Sequence, residues 1–291
     1  MIRRAWSVLE SGGPMAVLQA IGRRIVPPRL KCFSAAAPLM SGKRGLEIGG
    51  PSWLFARRGQ FPAYGVAGSL DNCNFSSTTI WEGAIQSGPT FTYDPRHEPG
   101  TQYILEATDL SAIAAERYDF VLSSHMLEHC ANPLRALREW MRIITAGGAI
   151  VLVIPHKEGT FDHRRPVTTL AHLIEDERNN TTECDMTHLP EILAFHDVTL
   201  DPSVEDFEAL KARGERGFEN RALHHHVFDT SLVVAMVDRV GLQIVTVEPV
   251  MPCHIFLVAR KPGMLQPAEN TVFLAAHAEY RRRSPFLLDS V

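Results

Sequence analysis

Two apolar runs joined by one amphipathic helix constrain this chain most. Tyr118-Asp119-Phe120-Val121-Leu122-Ser123-Ser124 is apolar through its middle, and Ala149-Ile150-Val151-Leu152-Val153-Ile154-Pro155 is apolar throughout. A strand reads this way when both of its faces are buried, as in parallel sheets covered by helices on both sides. Between the runs, Asn132 is a good N-cap and Pro133 suits the first helical position, where an N–H would have no partner. Leu134, Leu137, Met141 and Ile144 then recur on one face, with Arg135, Arg138, Glu139 and Arg142 largely opposite, and Gly147-Gly148 is read as the helix stop. A strand, a helix and a strand in this order form a crossover unit of an α/β fold.

The flanking sequence extends the same pattern. Gly45–Ile48 reads as a first strand running into Gly49-Gly50, a pair that permits a tight turn close to a ligand. Ala63–Leu70 reads as a second strand ending at Asp71, which lies 22 residues beyond Gly49. A carboxylate at that spacing can grip a ribose diol, and Asp71-Asn72 is equally good turn chemistry. Residues 74–100 read as a long loop with a short helix, carrying Trp81, Phe91 and Tyr93, and Thr101–Glu106 as a third strand. Near the end, a helix over Val227–Val240 stops at Gly241, and Leu242–Val247 and His254–Ala259 are β-rich runs. Their short link predicts an antiparallel pair.

Composition narrows the function classes. The chain has 291 residues and a net charge of −4, so no overall positive field favours nucleic acid. Its five cysteines form no CxxC pair, which predicts reduced thiols and a cytoplasmic location, without a disulfide framework. No apolar run reaches the roughly 18–20 residues of a membrane span. Met1-Ile2-Arg3-Arg4 resembles the start of a signal peptide, but Glu10, Gly12, Gly13 and Pro14 interrupt any apolar stretch after it. Residues 1–40 are expected to form an N-terminal helical extension, with a helix over Met15–Ile25 and flanking basic residues. That helix either docks on the core or offers a peripheral contact to a membrane or protein partner. The main domain is expected over 41–260, with a mainly helical insertion at 156–226, and a polar irregular tail over 261–291. The insertion holds eight of the thirteen histidines: His156, His163, His172, His188, His196, His224, His225 and His226.

On Leu46-Glu47-Ile48-Gly49, Tyr118-Asp119-Phe120-Val121, Leu127-Glu128-His129 and Arg142-Ile143-Ile144-Thr145-Ala146-Gly147-Gly148, the sequence resembles the class I S-adenosylmethionine-dependent methyltransferases, over roughly residues 43–260. The resemblance implies a Rossmann-like, doubly wound, seven-stranded sheet with an antiparallel last strand, and S-adenosyl-L-methionine as cofactor. It implies that Glu47 meets the methionine ammonium, directly or through water, while Gly49 and Gly50 let the backbone pass close by. It further implies that Asp71 accepts the ribose hydroxyls, that Glu106 faces the adenine amine beside the Ala107 backbone, and that Ser124 and His125 line the cleft. One departure is visible: Pro51 and Trp53 stand where the family pattern has its second and third glycines. The turn is therefore stiffer and more crowded, and the helix expected after it is displaced.

Methyl transfer to an oxygen or nitrogen needs alignment and, for a protonated acceptor, a base. The candidates by position are His156, directly after the fifth strand, and His163 and His129, with His129 also suited to fixing the loop after its strand. Asp162 beside His163 suggests an oriented base, and Arg164 and Arg165 suggest a grip on an anionic substrate. The insertion is expected to act as a lid over a small or saccharide-like acceptor. Two other readings stand beside this one. The first is a non-catalytic cofactor-binding or scaffold protein. The second is a metal-dependent hydrolase-like activity in the histidine-rich insertion, with Asp185, Asp197 and His224–His226 as ligands. No HxxxH or HExxH spacing supports the latter, so no metal ligand is assigned.

Overall fold

The computed structural model describes residues 29–263 and 266–290. Its centre is an eight-stranded sheet built from β1 (Arg44–Ile48), β2 (Ser69–Asn74), β5 (Gly88–Phe91), β6 (Gly100–Ile104), β7 (Tyr118–Ser124), β8 (Ile144–Pro155), β9 (Gln243–Val250) and β10 (His254–Arg260). The spatial order is β5-β6-β2-β1-β7-β8-β10-β9. A separate two-stranded ribbon, β3 (Thr78–Thr79) and β4 (Gly83–Ala84), lies between β2 and β5 in sequence. The five strands β6, β2, β1, β7 and β8 run parallel, and β10 enters antiparallel between β8 and β9. The seven expected strands are present, and β5 adds an eighth, antiparallel at the edge against β6.

Alternation along the central strands feeds two cores. Val121, Leu46 and Ile48 face one side, where they meet Leu134, Leu137 and Trp140 of the helix Pro133–Ile143 and Val233 and Val237 of the helix Thr230–Arg239. Phe120 and Leu122 face the other, with Phe55, Phe61, Tyr64 and Phe256. That second face has no α-helix between β1 and β2. The helix Lys31–Met40 covers it instead, packing through Phe33, Ala36 and Met40 beside the turns of residues 53–66. The displacement expected from Pro51 and Trp53 thus takes the form of a substitution by an earlier helix.

Several sequence expectations are corrected. The second strand is Ser69–Asn74, not Ala63–Leu70: Ala63–Gly65 is a short helical turn, and the polar run Asp71-Asn72-Cys73-Asn74 is strand. Its polar side chains are satisfied by cross-sheet partners that local propensity cannot reveal. Residues 74–100 hold short strands and no helix. The helix that begins at Pro133 ends at Ile143, before Gly147-Gly148. Tyr118 pairs with Ile144 and Phe120 with Ala149, so residues between them bulge out of β8, with Gly147 at φ 75°. The insertion is mainly helical as expected, with helices at Leu170–Asn179, Leu189–Phe195, Phe207–Glu215 and Gly217–Asn220. The tail is ordered against the body rather than irregular: Tyr280, Phe286 and Asp289 are buried. The N-terminal helix expected over Met15–Ile25 lies outside the described residues. No helix among the described residues is long and apolar enough to cross a membrane.

Candidate active site

The parallel strands β1, β2, β6 and β7 all end at one rim, and a cavity of about 630 Å³ opens there. Ile48 and Gly49 at the end of β1, Cys73 and Asn74 at the end of β2, Leu105, Glu106 and Ala107 after β6, and Ser124 and His125 at the end of β7 line it. Ligands bind at this end of an open α/β sheet because the loops diverge there. Trp53, Trp81, Glu82, His129, Glu183, Arg221 and His254 complete the wall.

The first turn is held from beneath. Glu47 is fully buried and accepts hydrogen bonds from Ser52 N at 3.0 Å and from Tyr64 Oη at 2.7 Å. Burial raises its carboxyl to about 8, although both hydrogen bonds oppose the rise. Gly49 sits at φ 81°, and a Cβ there would meet Met126 Cγ at 2.9 Å, so only glycine fits. Gly50 donates to Asn72 Oδ1 at 3.2 Å and lines a separate recess of about 330 Å³.

The sequence-derived site residues divide into those that reach the cavity and those that do not. Gly49, Glu106, Ala107, Ser124, His125 and His129 line it. Glu106 is ion-paired to Arg221 at 2.6 Å, and the Ala107 carbonyl accepts from Trp140 Nε1 at 3.0 Å. Asp71 does not line it. Lying three residues inside β2, Asp71 accepts from Arg44, from Thr101 N and from Tyr118 Oη at 2.8 Å, so its carboxylate is committed to the sheet. The residue at the strand tip is Asn74. Its Nδ2 donates to the Gly50 carbonyl at 3.1 Å, and its Oδ1 is buried without a partner. Sequence reading missed Asn74 because it ended the strand four residues early.

His156 is also corrected. It follows β8 as expected but turns away from the cleft, fully buried, stacked on Phe286 at 4.0 Å and 3.4 Å from Asp289. His163 lines no cavity described here and faces Asp197 at 3.0 Å. Asp162 does orient a histidine, but that histidine is His224, through Nδ1. Arg165 is buried between Asp162 and Glu191 and donates to the carbonyls of His224 and His225, while Arg164 pairs with Asp197. Arg165 is therefore committed to the fold, and Arg164, exposed beside Asp197, lines neither cavity at the strand rim. Asp197 is thereby engaged away from His224, and His226 donates to the Ala131 carbonyl, so Asp197 and His224–His226 form no common centre.

Beside the first cavity lies a second of about 380 Å³, lined by Glu128, Phe161, Asp201, Ser203, Arg213 and His224. Trp81, His125 and His129 line both. The insertion supplies most of this second wall, over the rim of β7 and β8. Burial lowers the His125 imidazole to about 3, with His254 and His224 adding to the effect. His125 Nε2 lies 2.8 Å from His254 Nδ1, and His125 has φ 50°, a left-handed backbone for a non-glycine residue at the cavity wall.

Residues 78–152 match the family model described as a methyltransferase domain. No curated protein sequence matches the chain. Among solved structures, an S-adenosylmethionine-dependent methyltransferase from Mesorhizobium loti aligns at TM-score 0.47 and 14% identity, covering 79% of this chain and 95% of that one. A methyltransferase described in the same terms from Listeria monocytogenes aligns at 0.44 and 17%, covering 80% and 100%. The N-methyltransferase NodS from Bradyrhizobium japonicum aligns at 0.41 and 10%, covering 79% and 92%. The match over 78–152 spans β3 to most of β8, and the sheet around it has the antiparallel end that the resemblance implied. Residues 78–152 are thus similar to a methyltransferase domain, in keeping with the resemblance read from the sequence.

Proposed function

We propose that this enzyme methylates an oxygen or nitrogen of a small, polar, saccharide-like acceptor held in the second cavity. One observation carries the reading: the strand-tip cavity and the insertion-walled cavity share Trp81, His125 and His129, so two ligands can meet there. When bound, S-adenosylmethionine supplies a methyl group on a sulfonium, which becomes a neutral thioether as the acceptor's lone pair takes the methyl.

This chain's residues would do the rest. The turn at Gly49 gives backbone access to the methionine end, and Glu47 acts by holding that turn through Ser52. Asn74 Oδ1, lacking a partner, would accept from a ribose hydroxyl, the role expected of Asp71. Glu106 would accept from an adenine amine beside the Ala107 backbone, both of which line the strand-tip cavity. On the acceptor side, the half-exposed indole of Trp81 offers a face for a sugar ring, and Asp201, Ser203 and Arg213 offer polar contacts. The buried Glu128 and the half-buried His129 and His224 would activate an acceptor hydroxyl.

Calorimetric titration with S-adenosylmethionine, followed by mass-spectrometric screening of hydroxylated acceptors, tests the reading. Wild-type protein is expected to bind the cofactor. Asn74→Leu should weaken binding about tenfold, equivalent to ~1.4 kcal/mol. Asp71→Asn should leave the affinity within about twofold and instead lower stability by about 1–3 kcal/mol, through its lost sheet contacts. No cofactor binding by wild-type protein, or the reverse ranking of these two variants, would refute the assignment.

A further inference from the structure

We propose that Glu128, His129 and His224 form a binding site for a first-row divalent transition-metal ion, which holds and acidifies an acceptor hydroxyl in the second cavity. The proposal rests on the methyltransferase reading for its use of the ion, but not for the ion's binding.

The donors of these three residues lie within 4.8 Å of one another. Their chemistry is set by what stands behind them. His129 Nδ1 lies 3.0 Å from the Leu223 carbonyl oxygen, which can only accept, so Nδ1 carries the proton and Nε2 offers its lone pair. His224 Nδ1 is bonded to the Asp162 carboxylate, and the same argument frees His224 Nε2. Carbonyl and carboxylate acceptors behind the distal nitrogen are the usual support for metal-binding histidines. Asp162 is fixed in turn by Arg165 at 3.0 Å.

Glu128 supplies the independent observation. Its side chain is 1% exposed, yet neither carboxylate oxygen has a hydrogen-bond partner. The ion pair it does make is long, with His125 Nδ1 at 3.7 Å. A buried carboxylate without hydrogen bonds is costly unless something charged completes it. Two imidazoles and one carboxylate are a ligand set for divalent transition metals, leaving open positions for other ligands. Metal–nitrogen bonds of about 2.0–2.1 Å draw such donors together.

Two other histidine groups are less suited. His125 and His254 already share a nitrogen–nitrogen contact at 2.8 Å beside Cys253. In the group His172, His188 and His226, His172 Nε2 faces His188 Nε2 at 3.2 Å, and His226 Nε2 donates to Ala131 O. Among the described residues, the group Glu128, His129 and His224 combines two imidazoles oriented by an acceptor at Nδ1 with a buried carboxylate that lacks a hydrogen-bond partner, at a cavity wall. A hydroxyl bound to the ion would lose its proton to water more readily, because the cation stabilises the alkoxide.

The test uses full-length, chelator-treated protein and Co²⁺ as probe, followed by calorimetry and by visible absorption. One ion is expected to bind at micromolar or tighter affinity and to raise the melting temperature. Glu128→Gln and His224→Gln should each weaken binding about 100-fold, and His172→Asn should leave it unchanged. If wild-type protein shows no saturable Co²⁺ binding, the proposal falls whether or not any variant folds. It also falls if His172→Asn abolishes binding while Glu128→Gln does not, or if all three variants bind as wild type does. Binding of S-adenosylmethionine to the metal-free protein is measured in parallel. If it persists together with full, metal-independent methyl transfer, the ion's role is excluded and the methyltransferase reading survives; if it is absent, that reading fails instead.

Discussion

Glu47 shows how one carboxylate can organise a site without lining it. It occupies the position where the sequence suggests a direct contact with cofactor, but its oxygens are taken by Ser52 N and Tyr64 Oη beneath the turn. Its carboxyl is raised to about 8 by burial, which favours the protonated form in the folded protein. An acid with a raised folded-state pKa stabilises the fold fully below its unfolded value, and that contribution is lost as pH rises through the folded value. Wild-type stability is therefore expected to decline between about pH 5 and pH 9, by on the order of 5 kcal/mol over the whole span. Glu47→Gln, which cannot ionise, should flatten the decline, as read from urea midpoints at half-unit pH steps. A variant with the same slope as wild type would show that Glu47 is not the titrating group.

At the scale of elements, the two ends of the insertion are joined by one buried arginine. Arg165 meets Asp162, Glu191 and the carbonyls of His224 and His225, and so ties the start of the insertion to its end. Removing one partner from such a buried network leaves the other charges uncompensated, at a cost of about 3–5 kcal/mol. Arg165→Met should therefore destabilise the insertion before the sheet. Hydrogen exchange is the suitable measurement: amides in residues 160–226 should lose protection while those of β7 and β8 keep theirs. Uniform loss across the sheet would mean that the insertion and the sheet unfold as one unit.

At the scale of the whole molecule, the last residues behave as a strap rather than a tail. Asp289 accepts from Thr230 N and Oγ1 and from Ser284 Oγ, while Phe286 covers His156. Burial works against the Asp289 carboxylate, but hydrogen bonds from His156, Ser284 and Thr230 outweigh it and hold its pKa below the usual range. Truncation after Gly263 exposes the end of β8 and the start of the helix Thr230–Arg239. It should lower the melting temperature by roughly 10 °C, on the scale of 2–4 °C per kcal/mol for a chain of this size. Because these residues do not line the strand-tip cavity, cofactor affinity should survive below the lowered transition. An unchanged melting temperature would show that the strap contributes nothing to the fold.

Sequence alone determined the parallel sheet, because period-two burial on both faces of Tyr118–Ser124 and Ala149–Pro155 leaves few alternatives. It also determined the antiparallel end, from the short link before His254, while the rim at which Gly49, Glu106, Ala107, Ser124 and His125 gather was implied by the family resemblance. It could not place Asn74, because the polar strand Asp71–Asn74 reads locally as a turn and is held extended only by neighbours distant in sequence. Nor could it send Asp162 to His224 rather than to His163. Those partners are 62 residues apart, and the choice depends on how the insertion folds back over β7. Local periodicity encodes which faces a strand or helix buries. Which polar groups meet across the rim is decided by long-range packing, and so only the tertiary structure brings Glu128, His129 and His224 together beside the strand-tip cavity.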